Sequence, residues 1–533
     1  MVYSVRNAVP SWAEELRERL AGLAHGSGAT DANIARRGAA RGAVALASDL
    51  DAHWRASRAD GPIDVIDMFS GCGGMSAGFR AVNGLVPTFR LAAAVDIDAV
   101  ANESYRANLG VTPSAESVTA FARRPTLTRD LAASALRPDH PFVLIGCAPC
   151  QGFSSHRNEA GEGDERNALL LDFARVATRM RPAAVVVENV PELLTERYWP
   201  FVAKVRRMLE EAGYFVYVGV HNAAEFGVPQ ERFRALLLAM PHPFRAPRGF
   251  LTRPDFRTVR MAIGGLRPVA AGARDPHDPM HFSAGHRAST LEVIRAVPKD
   301  GGNRPPHVGP ECLRRAYARR GKAIYEDVYG RLRWDRPAIT ITAYARNPAS
   351  GRFVHPEQDR GLTVREAALL QGFPADYRLT GSFDEQFRQV GNAVPPVFAA
   401  TVALHVAGEM VSAPPPAETR EAIRTGDMPA DGELGCKRNE MNPSQYPPQA
   451  APGGAKTREQ VKAETRQAMR SGEMMASGEA GCGPQPVKSQ GQGKTRAQVK
   501  AERDEAIRKG EVQGTGELAG SPQPARPMPK KAP

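Results

Sequence analysis

Cysteine is scarce in this chain: six thiols, at positions 72, 147, 150, 312, 436 and 482, are spread over 533 residues. That excludes the dense, evenly spaced lattice of a secreted disulfide scaffold and points to a reducing, intracellular setting. Long apolar runs are missing too. The amino terminus, MVYSVRNAVPSWAEELRERL, lacks the apolar segment of a signal peptide, and no stretch of about 18 apolar residues follows it. A soluble, cytoplasmic protein with no membrane partner is therefore expected. Acidic residues are outnumbered, 58 against 70 basic, for a formal charge of +12. The surplus suits a polyanionic partner without identifying one. A hydrophobic content of 42% is enough for at least one sizeable core, so most of the chain should be globular.

Five stretches differ in texture. Residues 1–60 form an N-terminal extension, partly helical, with an amphipathic helix expected over Ser11–Leu23, an Ala/Arg/Gly-rich stretch, and a second helical run near Ala43–Ala56. Over 61–242, short apolar runs (PIDVIDMF, RLAAAVDI, FVLIG, AAVVVENV, FVYVGVHN, RALLLAM) alternate with longer amphipathic segments. This is the pattern of βαβ units and a parallel sheet with helices on both faces. Residues 243–335 are rich in Pro, Gly, His and Arg, and their 18 Arg/Lys against 9 Asp/Glu carry three quarters of the chain's net charge. Residues 336–412 return to apolar, helical texture and end in PPVFAATVALHVAGEM. Residues 413–533 are a low-complexity tail in which KTREQVKAETRQAMRSGE, from Lys456, is repeated as KTRAQVKAERDEAIRKGE, from Lys494. Each copy predicts a short helix capped by Thr457 or Thr495 and ended by Gly472 or Gly510, with too few large apolar residues to build a core.

Two places carry candidate chemistry. In IDVIDMFSGCGGMSAGF an apolar strand runs into Gly71, Gly73 and Gly74 ahead of a helix, so a ligand can approach the backbone at the helix N-terminus. Asp96 ends the next strand, 20 to 30 residues on, where an acid accepts both hydroxyls of a ribose. Turn and acid together specify a nucleoside-bearing cofactor, with NAD and S-adenosylmethionine both open. The second place is CAPCQGFS at 147–154. A zinc site needs more ligands than this C-x-x-C and nearby His156 supply, and no second C-x-x-C exists. A redox pair opens a helix in a smaller domain, whereas Pro149 and QGFSS favour a loop. Cys147, at the strand end, reads as a small buried residue. Cys150, just past it, is left as the candidate nucleophile.

DMFSGCGG, APCQGFS, the VVVENV strand, QERFR at 230–234, DRPAITITAYARN with RFVHPEQDRGLTVREAALLQGFP, and QVGNAVPP at 389–396 follow one another in an order that resembles the cytosine-C5 DNA methyltransferase family of bacterial type, over about 61–408. The resemblance implies an α/β, Rossmann-like fold of the S-adenosylmethionine-dependent methyltransferases: a doubly wound, mostly parallel sheet in 61–242, a smaller loop-rich target-recognition region in 243–335, and a return to the catalytic domain in 336–412. It implies S-adenosyl-L-methionine as cofactor, held by Phe69, Gly71, Gly73, Asp96, Ile97, Pro149 and Asn392, with no metal. It also implies Cys150 as nucleophile, Glu188 at the cytosine N3, and Arg232 on the base carbonyl, with Arg234 structural or on phosphate. Where an aspartate toward the adenine amino group is expected, AESVTA offers Ser117, with Glu116 as a substitute. The residue types suit the chemistry: carbon 5 of cytosine becomes nucleophilic only after a thiolate adds at carbon 6, and a carboxyl at N3 relieves the resulting charge.

The resemblance further implies a base flipped out of double-stranded DNA and a mobile loop, GFSSHRNEAGEGDERN, closing behind Cys150. The implied setting is a restriction-modification system, with its restriction endonuclease a separate protein, or a solitary methylase, acting as a monomer at the nucleoid. The closing helix should lie beside the first-strand region. Two other readings are a tRNA cytosine-5 methyltransferase of the same fold and a catalytically idle DNA-binding protein.

Overall fold

The computed structural model describes residues 11–24, 33–149, 168–320 and 327–412. Cys150, the polar run behind it and the repeats of the tail lie outside the described residues. In chain order the helices and strands are α1 (Ser11–Gly22), α2 (Ile34–Ser48), α3 (Leu50–Ala56), β1 (Ile63–Met68), α4 (Gly74–Val82), β2 (Phe89–Val95), α5 (Ala99–Leu109), α6 (Val118–Arg123), α7 (Pro125–Ala135), β3 (Phe142–Gly146), α8 (Ala168–Met180), β4 (Ala184–Asn189), α9 (Trp199–Glu211), β5 (Phe215–Asn222) and β6 (Phe233–Met240). Then come α10 (Val259–Ile263), α11 (Ala288–Ala296), α12 (Glu311–Arg320), α13 (Val364–Leu370), α14 (Phe383–Asn392) and α15 (Pro396–Val411).

Each of the six apolar runs in 61–242 forms a strand. They are continuous rather than alternating because the sheet is covered on both faces. Ile63, Val65, Val143, Ile145, Val186, Leu236 and Leu238 belong to one core, with Leu46 of α2, Phe79 of α4 and Phe398 of α15. Ile66, Met68, Leu144, Val185, Val187 and Leu237 belong to a second, with Phe121 of α6, Phe173 of α8 and Val205 of α9. The strand order is β2-β1-β3-β4-β6-β5. β1 pairs in parallel with β2 and β3, and β3 with β4, while β6 runs antiparallel to both of its neighbours. The segment 223–232 between β5 and β6 is too short for a crossover, so the chain must reverse there. From β1 the connections leave in opposite directions, to β2 on one side and later to β3 on the other. That reversal opens a crevice beyond the carboxyl ends of these strands.

The late helix returns as expected. α15 lies so close to α4 that a Cβ on Gly78 would sit 2.5 Å from Ala399 Cβ. By length and composition Phe383–Val411 could cross a membrane, yet 89% of its most apolar window is buried in the protein, which makes it core. The N-terminal helices share that core. Gly408 of α15 meets Ala39 of α2, and Arg36 pairs with the buried Glu409 at 2.8 Å. The Ala/Arg/Gly-rich stretch is itself helical from Ile34. The expected run Ala43–Ala56 breaks at Asp49, whose carboxylate accepts the Ala52 N–H at 3.0 Å and so starts α3.

Residues 243–335 are mostly loop around three short helices, and part of their charge faces inward. Arg331, fully buried, donates to the carbonyls of Ile294, Val297, His355 and Gln358 and pairs with Asp359 at 2.5 Å. Such an arginine holds loops together and has no donors left for a phosphate or a guanine edge.

Candidate active site

Beyond the carboxyl ends of β1 to β4 lies a cavity of about 590 Å³. Phe69, Gly71, Asp96, Ile97, Pro149, Glu188, Arg232 and Asn392 all line it, whereas Gly73 and the two candidates for the adenine contact, Glu116 and Ser117, do not. Gly73 stands behind the turn. With φ of 91° it starts α4, and a Cβ there would come within 2.6 Å of Leu109 and 2.9 Å of the Tyr377 hydroxyl. Gly71, with φ of 51°, has nothing within 4 Å of its missing Cβ and leaves its face of the turn open. Phe69 also takes positive φ, 62°, which costs a side-chain-bearing residue about 1 kcal/mol or more and bends the chain sharply out of β1. Asp96 holds the turn, since its carboxylate accepts the Gly71 N–H and the Asp98 N–H, both at 2.8 Å. Ile97 beside it is 72% exposed, an apolar face at the cavity edge.

Burial sets the electrostatics. Asp67, in the middle of this wall, is pushed up to about 8 by burial and the neighbouring charge of Asp96, against a 2.6 Å hydrogen bond from Ser76. Its other oxygen finds no hydrogen-bond donor among the described residues. Asp96 is raised as well, by burial first. The same cause pushes the Cys72 thiol up to about 12 and raises Cys147, which also feels Glu188. Both stay neutral thiols near pH 7, so neither supplies a thiolate. The sequence's candidate nucleophile is Cys150. It lies outside the described residues, immediately after Pro149 of the cavity wall.

Glu188, next to last in β4, is 6% exposed. The guanidinium beside it is that of Arg234, with Nε 3.0 Å from Oε1. Arg232, expected on the base carbonyl, lines the cavity and donates through its two terminal nitrogens to the carbonyls of Ile341 at 2.9 Å, Gly391 at 3.0 Å and Ala393 at 3.3 Å. It locks the segment before α13 to the end of α14. The two arginines stand two apart in QERFR, and only their distant partners tell them apart. Asn189 donates to the Ala148 carbonyl at 3.1 Å and so fixes the loop that leads to Cys150. Asn392 ends α14 and points to the exposed side of the cavity, whereas α15 starts at Pro396.

At the expected adenine contact, Ser117 is the N-cap of α6, accepting the Ala120 N–H at 3.1 Å. Glu116 pairs on the surface with Arg124. Neither lines the cavity. Sequence reasoning missed Asp67 and gave Arg234 only a structural or phosphate role. The signal for Asp67 was there, as one of two acids, with Asp64, in the apolar strand IDVIDM; nothing in QERFR sets Arg234 apart from Arg232.

A cavity with a Gly-rich turn, a ribose-type acid, an apolar ledge and an unpaired buried carboxylate oxygen fits a cationic nucleoside such as S-adenosylmethionine. In the same cavity wall the Glu188 carboxyl and the Arg234 guanidinium converge, a pair that suits binding of a polar ring. Residues 63–407 match the family of C-5 cytosine-specific DNA methylases. The chain is 32% identical over 343 residues to the type II methylase M.HgiDII of Herpetosiphon aurantiacus, covering 62% of this chain and 91% of that one. It is 35% identical over 359 residues to the type II methyltransferase M1.HphI of Haemophilus parahaemolyticus, covering 63% and 85%. In fold it is similar to a crystal structure of a putative DNA modification methyltransferase encoded within a prophage of E. coli, with a TM-score of 0.51 and 22% identity over 65% of this chain and 99% of that one.

Proposed function

As a member of the C-5 cytosine-specific DNA methylase family, this chain is a DNA (cytosine-5-)-methyltransferase, and we propose that it works through a transient bond between Cys150 and carbon 6 of a cytosine flipped out of duplex DNA. One observation carries the reading: a single cavity joins the Gly-rich turn and Asp96 to Glu188, Arg234 and Pro149. The thiolate of Cys150 adds to carbon 6 and turns carbon 5 into the nucleophilic end of an enamine. Glu188 serves N3 as its hydrogen-bonding partner, and Arg234 both holds that carboxyl and meets the base carbonyl, where negative charge gathers. S-adenosylmethionine, when bound, supplies the methyl group that carbon 5 accepts. Phe69, Gly71, Asp96, Ile97, Pro149 and Asn392 would hold it, and the unpaired oxygen of Asp67 offers an acceptor for its ammonium group. Loss of the carbon-5 proton then expels Cys150. Arg232 acts from behind by fixing the backbone around the site.

The substrate is double-stranded DNA, read by the 243–335 region with those of its arginines that remain at the surface. The type II relatives favour a restriction-modification setting in the cytoplasm, with the endonuclease a separate protein and the methyltransferase a monomer at the nucleoid. Bisulfite sequencing of DNA from cells expressing the full chain tests this. Methylated cytosine should appear in one sequence context, while methyl transfer to tRNA in vitro stays at background; transfer to tRNA alone would contradict it.

A further inference from the structure

Helices α1 to α3 precede the residues that match the family, yet α3 reaches the cofactor turn through one intermediary. Tyr377, 1% exposed, donates its hydroxyl to the Cys72 carbonyl at 2.6 Å, in the middle of the Gly-rich turn. Gly73 makes room for that hydroxyl. The ring of Tyr377 is held between Phe373, with centroids 4.8 Å apart, and Trp54 of α3, at 5.6 Å. Trp54 is backed in turn by the Arg80 guanidinium of α4, 4.9 Å from its ring. A second tie runs alongside, the Asp51 carboxylate of α3 accepting the Ala375 N–H at 2.8 Å. The segment 373–377 is thus fastened to α3 at both its backbone and its aromatic ring.

We propose that α3 is a positioning element for the cofactor turn: Trp54 and Asp51 set Tyr377, and the Tyr377 hydroxyl fixes the Cys72 carbonyl so that the turn is ready to bind before the cofactor arrives. The inference rests on the turn being the cofactor site. A preorganised turn spares the ligand the cost of ordering it, so its loss should show in cofactor binding and not in the chemical step.

The test is steady-state titration of S-adenosylmethionine with the full chain. Tyr377→Phe keeps the ring and removes only the hydroxyl. It should raise the cofactor KM about 5- to 10-fold with kcat within about 2-fold, as expected for one lost hydrogen bond acting on binding alone. Trp54→Phe should raise the cofactor KM by a smaller factor, and the double variant should be no worse than Tyr377→Phe, because Trp54 acts through that hydroxyl. A merely structural aromatic would lower the melting temperature and leave the ratio of KM to kcat alone. Asp96→Asn, titrated in parallel, separates the two claims. If it weakens binding while Tyr377→Phe does not, the positioning role is wrong and the cofactor site stands. If neither variant changes KM, the cofactor assignment fails and the inference with it. Additive effects of Trp54→Phe and Tyr377→Phe would also overturn the inference.

Discussion

The cavity and the seam that joins residues 267–300 to residues 353–366 bury charge in opposite ways. At the seam the two fully buried arginines are matched. Arg360 binds Glu366 through both nitrogens at 2.7 Å and the Val269 carbonyl at 2.7 Å, and Arg331 serves four carbonyls and Asp359. Burial alone would push the Glu366 carboxyl up, but Arg360 and His355 more than reverse it and hold it below its ordinary range. At the cavity the matching stops short. Among the described residues, Asp67 Oδ1, Ser70 Oγ, Glu188 Oε1 and Gln389 Oε1 are buried without a hydrogen bond, although Arg234 stands near Glu188, and all four residues line the cavity. Completed networks hold loops in place, whereas open ones are left for a substrate or cofactor to complete.

The contrast can be broken most forcefully at the nucleophile. Cys150→Ser should lower methyl transfer on the order of 10⁴-fold or more while S-adenosylmethionine still binds, as read by isothermal titration beside a turnover assay. The two arginines of QERFR come next. Arg234→Ala should cost about 10²- to 10³-fold in kcat with a nearly unchanged melting temperature. Arg232→Ala should instead lower the melting temperature, having left buried carbonyls unserved at about 1–3 kcal/mol. If the two patterns are exchanged, Arg232 and not Arg234 serves the base. At the seam, Arg360→Met strands Glu366 and should destabilise the fold by about 3–5 kcal/mol in urea unfolding, with kcat intact at a permissive temperature.

The contrast also shows in pH. Asp67 has a raised folded pKa, so its contribution to stability is fully present below its unfolded value and is lost as pH climbs toward about 8. Glu366 has a depressed one, so its contribution is present above its unfolded value and is lost as pH falls through the folded one. Melting curves of Asp67→Asn should be flatter than those of the unaltered protein between pH 5 and 8, and those of Glu366→Gln flatter only on the acid side. Parallel curves for either variant would contradict the assignment.

Much of the fold was legible in the sequence because a doubly covered sheet demands continuous apolar runs, and all six such runs became strands. The Gly-rich turn and Asp96 were legible for a similar reason, since strand ends place them and no distant contact is needed. Legibility failed where long-range partners decide. Arg232 and Arg234 differ only in whether Ile341 and Gly391 or Glu188 stand opposite. The role of the N-terminal helices was hidden likewise, because their small residues gain meaning only against α15 and Tyr377. The reversal of β6 follows from a loop length that the run pattern alone does not weigh.

The most direct test of the account is to trap the bond it depends on. A duplex oligonucleotide carrying 5-fluorocytosine at the methylated position, incubated with the full chain and S-adenosylmethionine, should become crosslinked to the protein, and peptide mass spectrometry should place the adduct on Cys150. A crosslink at another residue, or turnover of normal DNA with no crosslink to the fluorinated duplex, would contradict it.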